Sequence, residues 1–476
     1  MSAISPLDGR YKKNVSELNE FFSEQALMGV RLEVEVRYLI ALSQHRALKK
    51  DLSLKGEDEK TLRGFYENFD QKEYNAIKRV EAKTKHDVNA VVGYLSQKLE
   101  KNGYSRWVPF VHFGLTSEDI NNTSYALMFQ RGVGESLLKN LDRLSSLLVL
   151  LIGKTKDLPM LSLTHGQPAT TTTLGKEMAV FHSRLERQVA YIKSHKLSAK
   201  FSGATGTFAA HKIAFPKESW MAFSEKFIRG LGLKNNPITT QIEPNDSIAE
   251  LLHAFVRTNN ILTDMCVDIW LYISRNIFTQ TNKPGEVGSS TMPHKINPIS
   301  FENAEGNLEL SNASFVFLAS RLSRSRMQRD LSGSTLFRNV GVAFGHSLLA
   351  YKNIVTGLGR IHPNETQLSN ELESQWSVLA EAIQTILRKS GDKNAYDKIK
   401  KLTRGIPLNQ ETYLDLVNQL KVSKQDKGFI IVQSDMPFIK TKDINKICSS
   451  IKKRKDLVHA LKFRNRVGNP IGFDIS

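Results

Sequence analysis

The sequence predicts an all-α protein of three helical domains, the central one a bundle of long helices. Three observations carry this. Prolines are sparse: none occurs between Pro109 and Pro159, Pro168 and Pro216, Pro244 and Pro284, or Pro298 and Pro363. An interior proline breaks a helix, so these gaps leave room for very long ones. From Ser247 to Gln280 there is neither Gly nor Pro, and Leu251, Phe255, Leu262, Met265, Ile269, Ile273 and Ile277 recur at the spacing of one helical face. Alternating Val/Ile/Thr runs with Asn-Gly turns, the marks of β-hairpins, are almost absent.

Taken in order, residues 1–115 read as a smaller helical domain. Residues 116–361 carry the long helices, over about 117–157, 174–202, 247–280, 299–328 and 334–360. A helix of ~34 residues is about 50 Å long. Five such helices alone would expose apolar faces, which favours an oligomer. Residues 362–476 form a third helical domain, opened by the break IHPNET and closed by a basic tail. No internal repeat or low-complexity tract occurs.

At 476 residues, 40% hydrophobic and 24% charged, the composition is that of a soluble protein with a large core. The two cysteines, Cys266 and Cys448, lack metal-ligand spacing and suit a reducing compartment. MSAISPLDGR has no apolar segment of a signal peptide, and LSSLLVLLIG at 144–153 is too short to span a bilayer. These features predict a cytoplasmic protein without a membrane partner. The net charge is +18, of which the 57 residues from Leu420 hold +8, with 13 Lys/Arg against 5 Asp/Glu. Basic residues are spread along the chain and not interleaved with aromatics. That argues against nucleic acid and suits steering of a small polyanion.

The segment GSSTMPHKINP, Gly288 to Pro298, is the densest in chemistry. Gly and Pro make it a loop. It holds Ser289 and Ser290 as base candidates, Lys295 as a cation and Asn297 as an amide donor, a set that can act on a carboxylate. A serine is a poor base unless its alkoxide is stabilised by backbone N–H groups and a nearby cation. The residues alone do not choose between the two serines. His165 in THGQPAT lies on a turn before the helix that starts near Leu174, and a histidine can donate or accept a proton near pH 7. Thr116 and Ser117 open TSEDINN, where Thr116 and Asp119 form a capping box pattern. A helix start also offers N–H groups to an anion. Lys85, His86 and Asp87 sit together in TKHDVNAV. Arg10 and Tyr11 in DGRY, with Arg329, Ser334 and Arg338 in QRDLSGSTLFRN, are polyanion candidates, because the arginine fork matches phosphate oxygens. Gln241 lies in TTQIEP. No P-loop, dinucleotide fingerprint or CxxC pair occurs, so no cofactor and no metal are expected.

The loop resembles the GSS-x-MP-x-K-x-NP signature of the fumarase/aspartase superfamily and matches it completely. SPLDGRY, THGQPAT and QRDLSGSTLFRN resemble its bacterial-type adenylosuccinate lyase branch. The resemblance runs from about Ser5 to about Gly405 and is lost in the tail. Gly333 stands where close relatives carry an acidic residue. The resemblance implies a homotetramer with shared active sites, built on long central helices. It implies β-elimination of fumarate from adenylosuccinate and from the succinyl-carboxamide ribotide (SAICAR) of purine synthesis. In that pattern Ser289 is the base and His165 the general acid. Lys295 and Asn297 hold the carboxylate, and Arg10, Tyr11, Lys85, His86, Asp87, Thr116, Ser117, Gln241, Arg329, Ser334 and Arg338 bind substrate. The loop alone leaves other lyases of the superfamily open. A non-catalytic scaffold or nucleic-acid binder is the alternative of another class.

Overall fold

A computed structural model describes residues 3–48, 52–282, 285, 290–420 and 422–423. Helices dominate, as expected. The principal ones are α1 (Glu24–Gln44), α2 (Asp87–Lys101), α3 (Ser117–Gly132), α4 (Leu138–Thr155), α5 (Leu174–Ser194), α6 (Asp246–Ser274), α7 (Ile299–Leu322) and α8 (Val340–Leu358). A five-residue π turn, Val133–Leu137, joins α3 to α4, so the chain is helical from 117 to 155.

The long helices end earlier than the apolar pattern suggests. α6 stops at Ser274, Asn276 takes φ +59°, and the chain turns into β5 (Phe278–Gln280), which pairs antiparallel with β6 (Ile361–Pro363). Ile277 and Phe278 are buried, so the apolar pattern carries on while the backbone changes. A short apolar run cannot tell helix from strand by its period. α5 ends at Ser194, and β3 (Ser198–Ala199) pairs in parallel with β4 (Lys234–Asn235). The helix expected over 334–360 is interrupted between Phe337 and Val340.

The chain divides into two compact units. The first comprises the chain up to Leu144 together with Leu185–Cys266 and Ser300–Val355. Its core centres on Phe344, whose ring packs against Phe22, Phe129, Phe255 and Phe315 at centroid distances of 4.9–5.7 Å. A buried polar layer crosses the same helices: Asn259 donates to Ser347 Oγ at 3.0 Å and to Ser311 Oγ at 3.3 Å, and accepts from Tyr351 at 2.7 Å. Every member has partners, as burial of polar groups requires. The layer fixes which residues face one another along helices that are otherwise apolar inside.

The second unit comprises Ser145–Arg184, Val267–Ile299 and the chain from Thr356. Its core gathers Leu161, Trp376, Ile383, Leu387, Ile399, Tyr413 and Val417. It also holds a hairpin, β1 (Pro159–Thr164) and β2 (Gln167–Thr173), which the sequence reading took only as a turn. Four consecutive β-branched threonines, Thr170 to Thr173, favour the extended strand.

Candidate active site

Each unit carries one set of the predicted residues. In the second unit, His165 and Gly166 are the two residues of the β1–β2 turn, with φ +54° and +73°. Positive φ at both positions is the backbone that a two-residue hairpin needs to match strand twist. Glycine adopts it freely, while a histidine there is strained. His165 thereby stands exposed at the tip of the hairpin.

The Gly288–Pro298 loop lies partly outside the described residues, and Ser289 is among those outside. Ser290, Lys295 and Asn297 are described; Ser290 and Lys295 are exposed and Asn297 is half-buried. Lys295 N donates to Met292 O at 3.2 Å, closing a turn that presents its side chain. Gln280 Nε2 donates to Ile296 O at 3.3 Å, which ties the loop to the end of β5.

In the first unit, the Thr116–Ser117 pair is held firmly. Thr116 caps α3, and its N–H donates to Asp119 Oδ2 at 2.8 Å, so the capping box exists. Asp119 does more than cap. Fully buried, it accepts from the N–H groups of Ser202 (2.9 Å) and Gly203 (3.1 Å) and from Lys200 Nζ (2.8 Å). Lys200, equally buried, also donates to Gly203 O at 2.9 Å. The residues preceding Thr116 are clamped as well. Tyr38 Oη donates to Phe113 O at 2.8 Å and lies 3.0 Å from His211 Nε2. A Cβ on Gly114 would stand 2.7 Å from the His211 ring, so the close approach demands glycine. His112, at φ +57°, sets Nδ1 2.6 Å from the buried Glu35. Burial alone would lower the His112 pKa, but the Glu35 carboxylate outweighs it and raises it.

His86 caps α2 through its ring: Nδ1 accepts from Asn89 N at 3.2 Å, leaving Nε2 to carry the proton. Asp87 turns towards Arg31 (2.9 Å) and Arg338 (3.1 Å). Burial pushes its carboxyl up, but the Arg31 charge and the hydrogen bonds of Val88 and Arg31 outweigh this and hold it below the ordinary carboxylate range. Lys85, at φ +56°, ends the preceding helix and is exposed. Arg329 Nη1 donates to Gln241 Oε1 at 3.0 Å, and Nη2 lies 3.2 Å from Glu118 Oε2. Arg10 lies over the Tyr11 ring, and Tyr11 Oη accepts from Asn303 at 3.2 Å. Ser334 lies in a short helix, Ser332–Phe337, where a Cβ on Gly333 would meet nothing within 4 Å. The structure thus joins Asp87 to Arg338 and Gln241 to Arg329.

Sequence reading missed Arg31, Glu35, His112, Glu118 and Lys200 and saw Asp119 only as a cap. One signal was available. RLEVEVRY in α1 alternates charged and apolar residues inside a helix, which puts charges on a buried face. Among the described residues no group of three or more His, Cys, Asp or Glu could hold a metal, and no helix is long and apolar enough to cross a membrane.

The family model described as Lyase matches residues 9–309, and that described as Adenylosuccinate lyase C-terminal matches 325–431. The adenylosuccinate lyases of Legionella pneumophila (strain Corby) and Escherichia coli (strain K12) are each 44% identical over 429 residues, covering 90% of this chain and 94% of theirs. That of Dictyostelium discoideum is 46% identical over 411 residues, 85% of this chain and 88% of its own. The fumarate lyase structure from Mesorhizobium sp. BNC1 superposes with a TM-score of 0.70 at 18% identity, covering 92% of this chain and 98% of that one. A 3-carboxy-cis,cis-muconate lactonizing enzyme structure from Pseudomonas putida gives 0.66 at 17%, covering 92% and 97%. At that identity the two structures speak for the fold.

Proposed function

We propose a division of labour for this chain, which belongs to the adenylosuccinate lyase family. Its reaction is the β-elimination of fumarate from adenylosuccinate, leaving AMP, and from SAICAR, leaving AICAR, both in purine biosynthesis. Ser289 takes the proton from the carbon beside the carboxylate. Lys295 and Asn297 hold that carboxylate, where charge builds in the transition state, so their binding is spent where it accelerates the reaction. The electron pair expels the nitrogen at the β-carbon, and His165 protonates it as it leaves. The hairpin supports this role, because a two-residue turn between paired strands sets where the histidine stands. In the first unit Arg329 and Arg338 grip the phosphate, with Arg10, Tyr11 and Ser334 beside them. Lys85, His86, Asp87, Thr116, Ser117 and Gln241 seat the rest of the substrate.

The sites are shared within a homotetramer. Supporting this, Leu310, Val316 and Phe317 of α7 are each at least half exposed, and apolar helix faces of this kind are normally covered by another subunit. The domain borders fall near residues 115 and 361, and the location is the cytoplasm. The observation that carries the activity is the high identity with adenylosuccinate lyases along nearly their whole length. The test is direct: the purified chain given adenylosuccinate releases fumarate and AMP in equal amounts. Release of fumarate from argininosuccinate or malate instead would reassign the chain to another lyase.

A further inference from the structure

Glu118 follows the Thr116–Ser117 pair directly, and the elimination does not use it. Its Oε2 lies 3.2 Å from Arg329 Nη2, while Nη1 of the same guanidinium donates to Gln241 Oε1 at 3.0 Å. Gln241 is itself anchored, since its Nε2 donates to Ala204 O at 2.9 Å. The Arg329 fork is therefore held from two sides. It needs holding. Arg329 lies on irregular backbone between α7 and the Ser332–Phe337 helix, and a long side chain on such a segment has many rotamers to lose.

The hold continues inward. Asn121, on the next turn of α3, hydrogen-bonds Glu118 and accepts from Arg31 Nε at 2.9 Å. Arg31, only 2% exposed, reaches Asp87 Oδ2 at 2.9 Å, and the same oxygen holds Arg338 at 3.1 Å. An unbroken polar chain thus runs from Arg329 through Glu118, Asn121, Arg31 and Asp87 to Arg338. The rigid start of α3, pinned by the buried Asp119–Lys200 pair, fixes its middle.

We propose that Glu118 is a positioning residue that sets the Arg329 fork and, through the buried relay to Arg338, fixes the spacing of the two arginines for a substrate with several anionic groups. The proposal rests on the reading that these arginines grip the substrate. Glu118 touches no reacting atom, so its loss weakens binding and leaves the chemical step nearly intact.

The test is steady-state kinetics of the full chain on adenylosuccinate with Glu118→Ala, Glu118→Gln, Arg329→Ala and the Glu118→Ala/Arg329→Ala double variant. Glu118→Ala raises KM roughly 10-fold with kcat within about 3-fold, and the thermal midpoint stays within about 2 °C. Glu118→Gln keeps an acceptor in place and brings KM back to within about 3-fold of the parent. The double variant is no worse than Arg329→Ala, because the pair acts as one unit. If Arg329→Ala raises KM and Glu118→Ala does not, the positioning role falls while the site reading stands. If Arg329→Ala also leaves KM unchanged, the site reading itself falls. A joint loss of kcat and thermal midpoint in Glu118→Ala would make Glu118 a packing residue and overturn the proposal.

Discussion

Replacing Lys200 by methionine isolates the buried ion pair beneath Thr116. The ammonium is fully buried and gives its hydrogen bonds to Asp119 Oδ1 at 2.8 Å and Gly203 O at 2.9 Å. Methionine fills a similar volume but leaves the Asp119 charge in the interior. Removing one partner of a buried pair costs about 3–5 kcal/mol. Three backbone N–H groups still donate to this carboxylate, those of Thr116, Ser202 and Gly203. That offset places the expected loss at the lower end, about 3 kcal/mol. In Lys200→Met/Asp119→Asn the charge is gone too, and the double variant is less destabilised than the sum of the singles by about 2 kcal/mol. Urea unfolding of the parent, both single variants and the double variant measures this coupling. Adenylosuccinate KM measured alongside rises in Lys200→Met, because Asp119 also fixes the Thr116 N–H. A Lys200→Met protein within about 0.5 kcal/mol of the parent, the scale of an ordinary surface change, would refute the argument that the pair is uncompensated without its lysine.

Other outcomes follow from the same geometry. Burial holds His211 down to about 4, against an ordinary value of about 6.5. Its contribution to stability is thus complete above pH 6.5 and is lost as pH falls towards 4, at about 1.4 kcal/mol per pH unit and at most about 3 kcal/mol. Unfolding of His211→Gln measured between pH 7.5 and 4.5 should show an acid-side slope smaller by close to one proton, and an unchanged slope would place the acid sensitivity elsewhere. Ser289→Ala should lower kcat by roughly 10²–10⁴ with little change in KM; near-normal turnover would move the base to Ser290. Mixing inactive His165→Ala with inactive Ser289→Ala protein should restore partial activity in hybrid oligomers, and no recovery despite confirmed subunit exchange would mean that each chain builds its own site. Deleting the residues after Lys440 should leave kcat/KM within a few-fold at physiological salt. Any deficit at low salt should vanish at high salt, as expected if the tail's charge steers an anionic substrate.

The amino-acid sequence by itself determined that the protein is all-α, where most of the long helices begin, and which loop and turn carry the chemistry. Helix starts were legible because caps and prolines are local: Thr116 with Asp119 announces α3, and Pro298 stands directly before α7. The reactive motifs were legible for the same reason, since a loop dense in Ser, Lys and Asn between Gly and Pro reads as one within eleven residues. Only the tertiary structure decided where the helices stop. The apolar pattern runs through Ser274 into Phe278, and the pairing with Ile361–Pro363 selects strand over helix there. It also decided that THGQPAT is a hairpin with His165 at its tip, since a strand is stabilised by a partner that local spacing does not reveal. Above all it decided which charges are buried. The sequence reading singled out neither Arg31 nor Lys200, and Asp119 read only as a helix cap. They act beneath the site because residues 78 to 90 positions apart are brought within hydrogen-bond reach, in an interior where an unpaired charge would be costly.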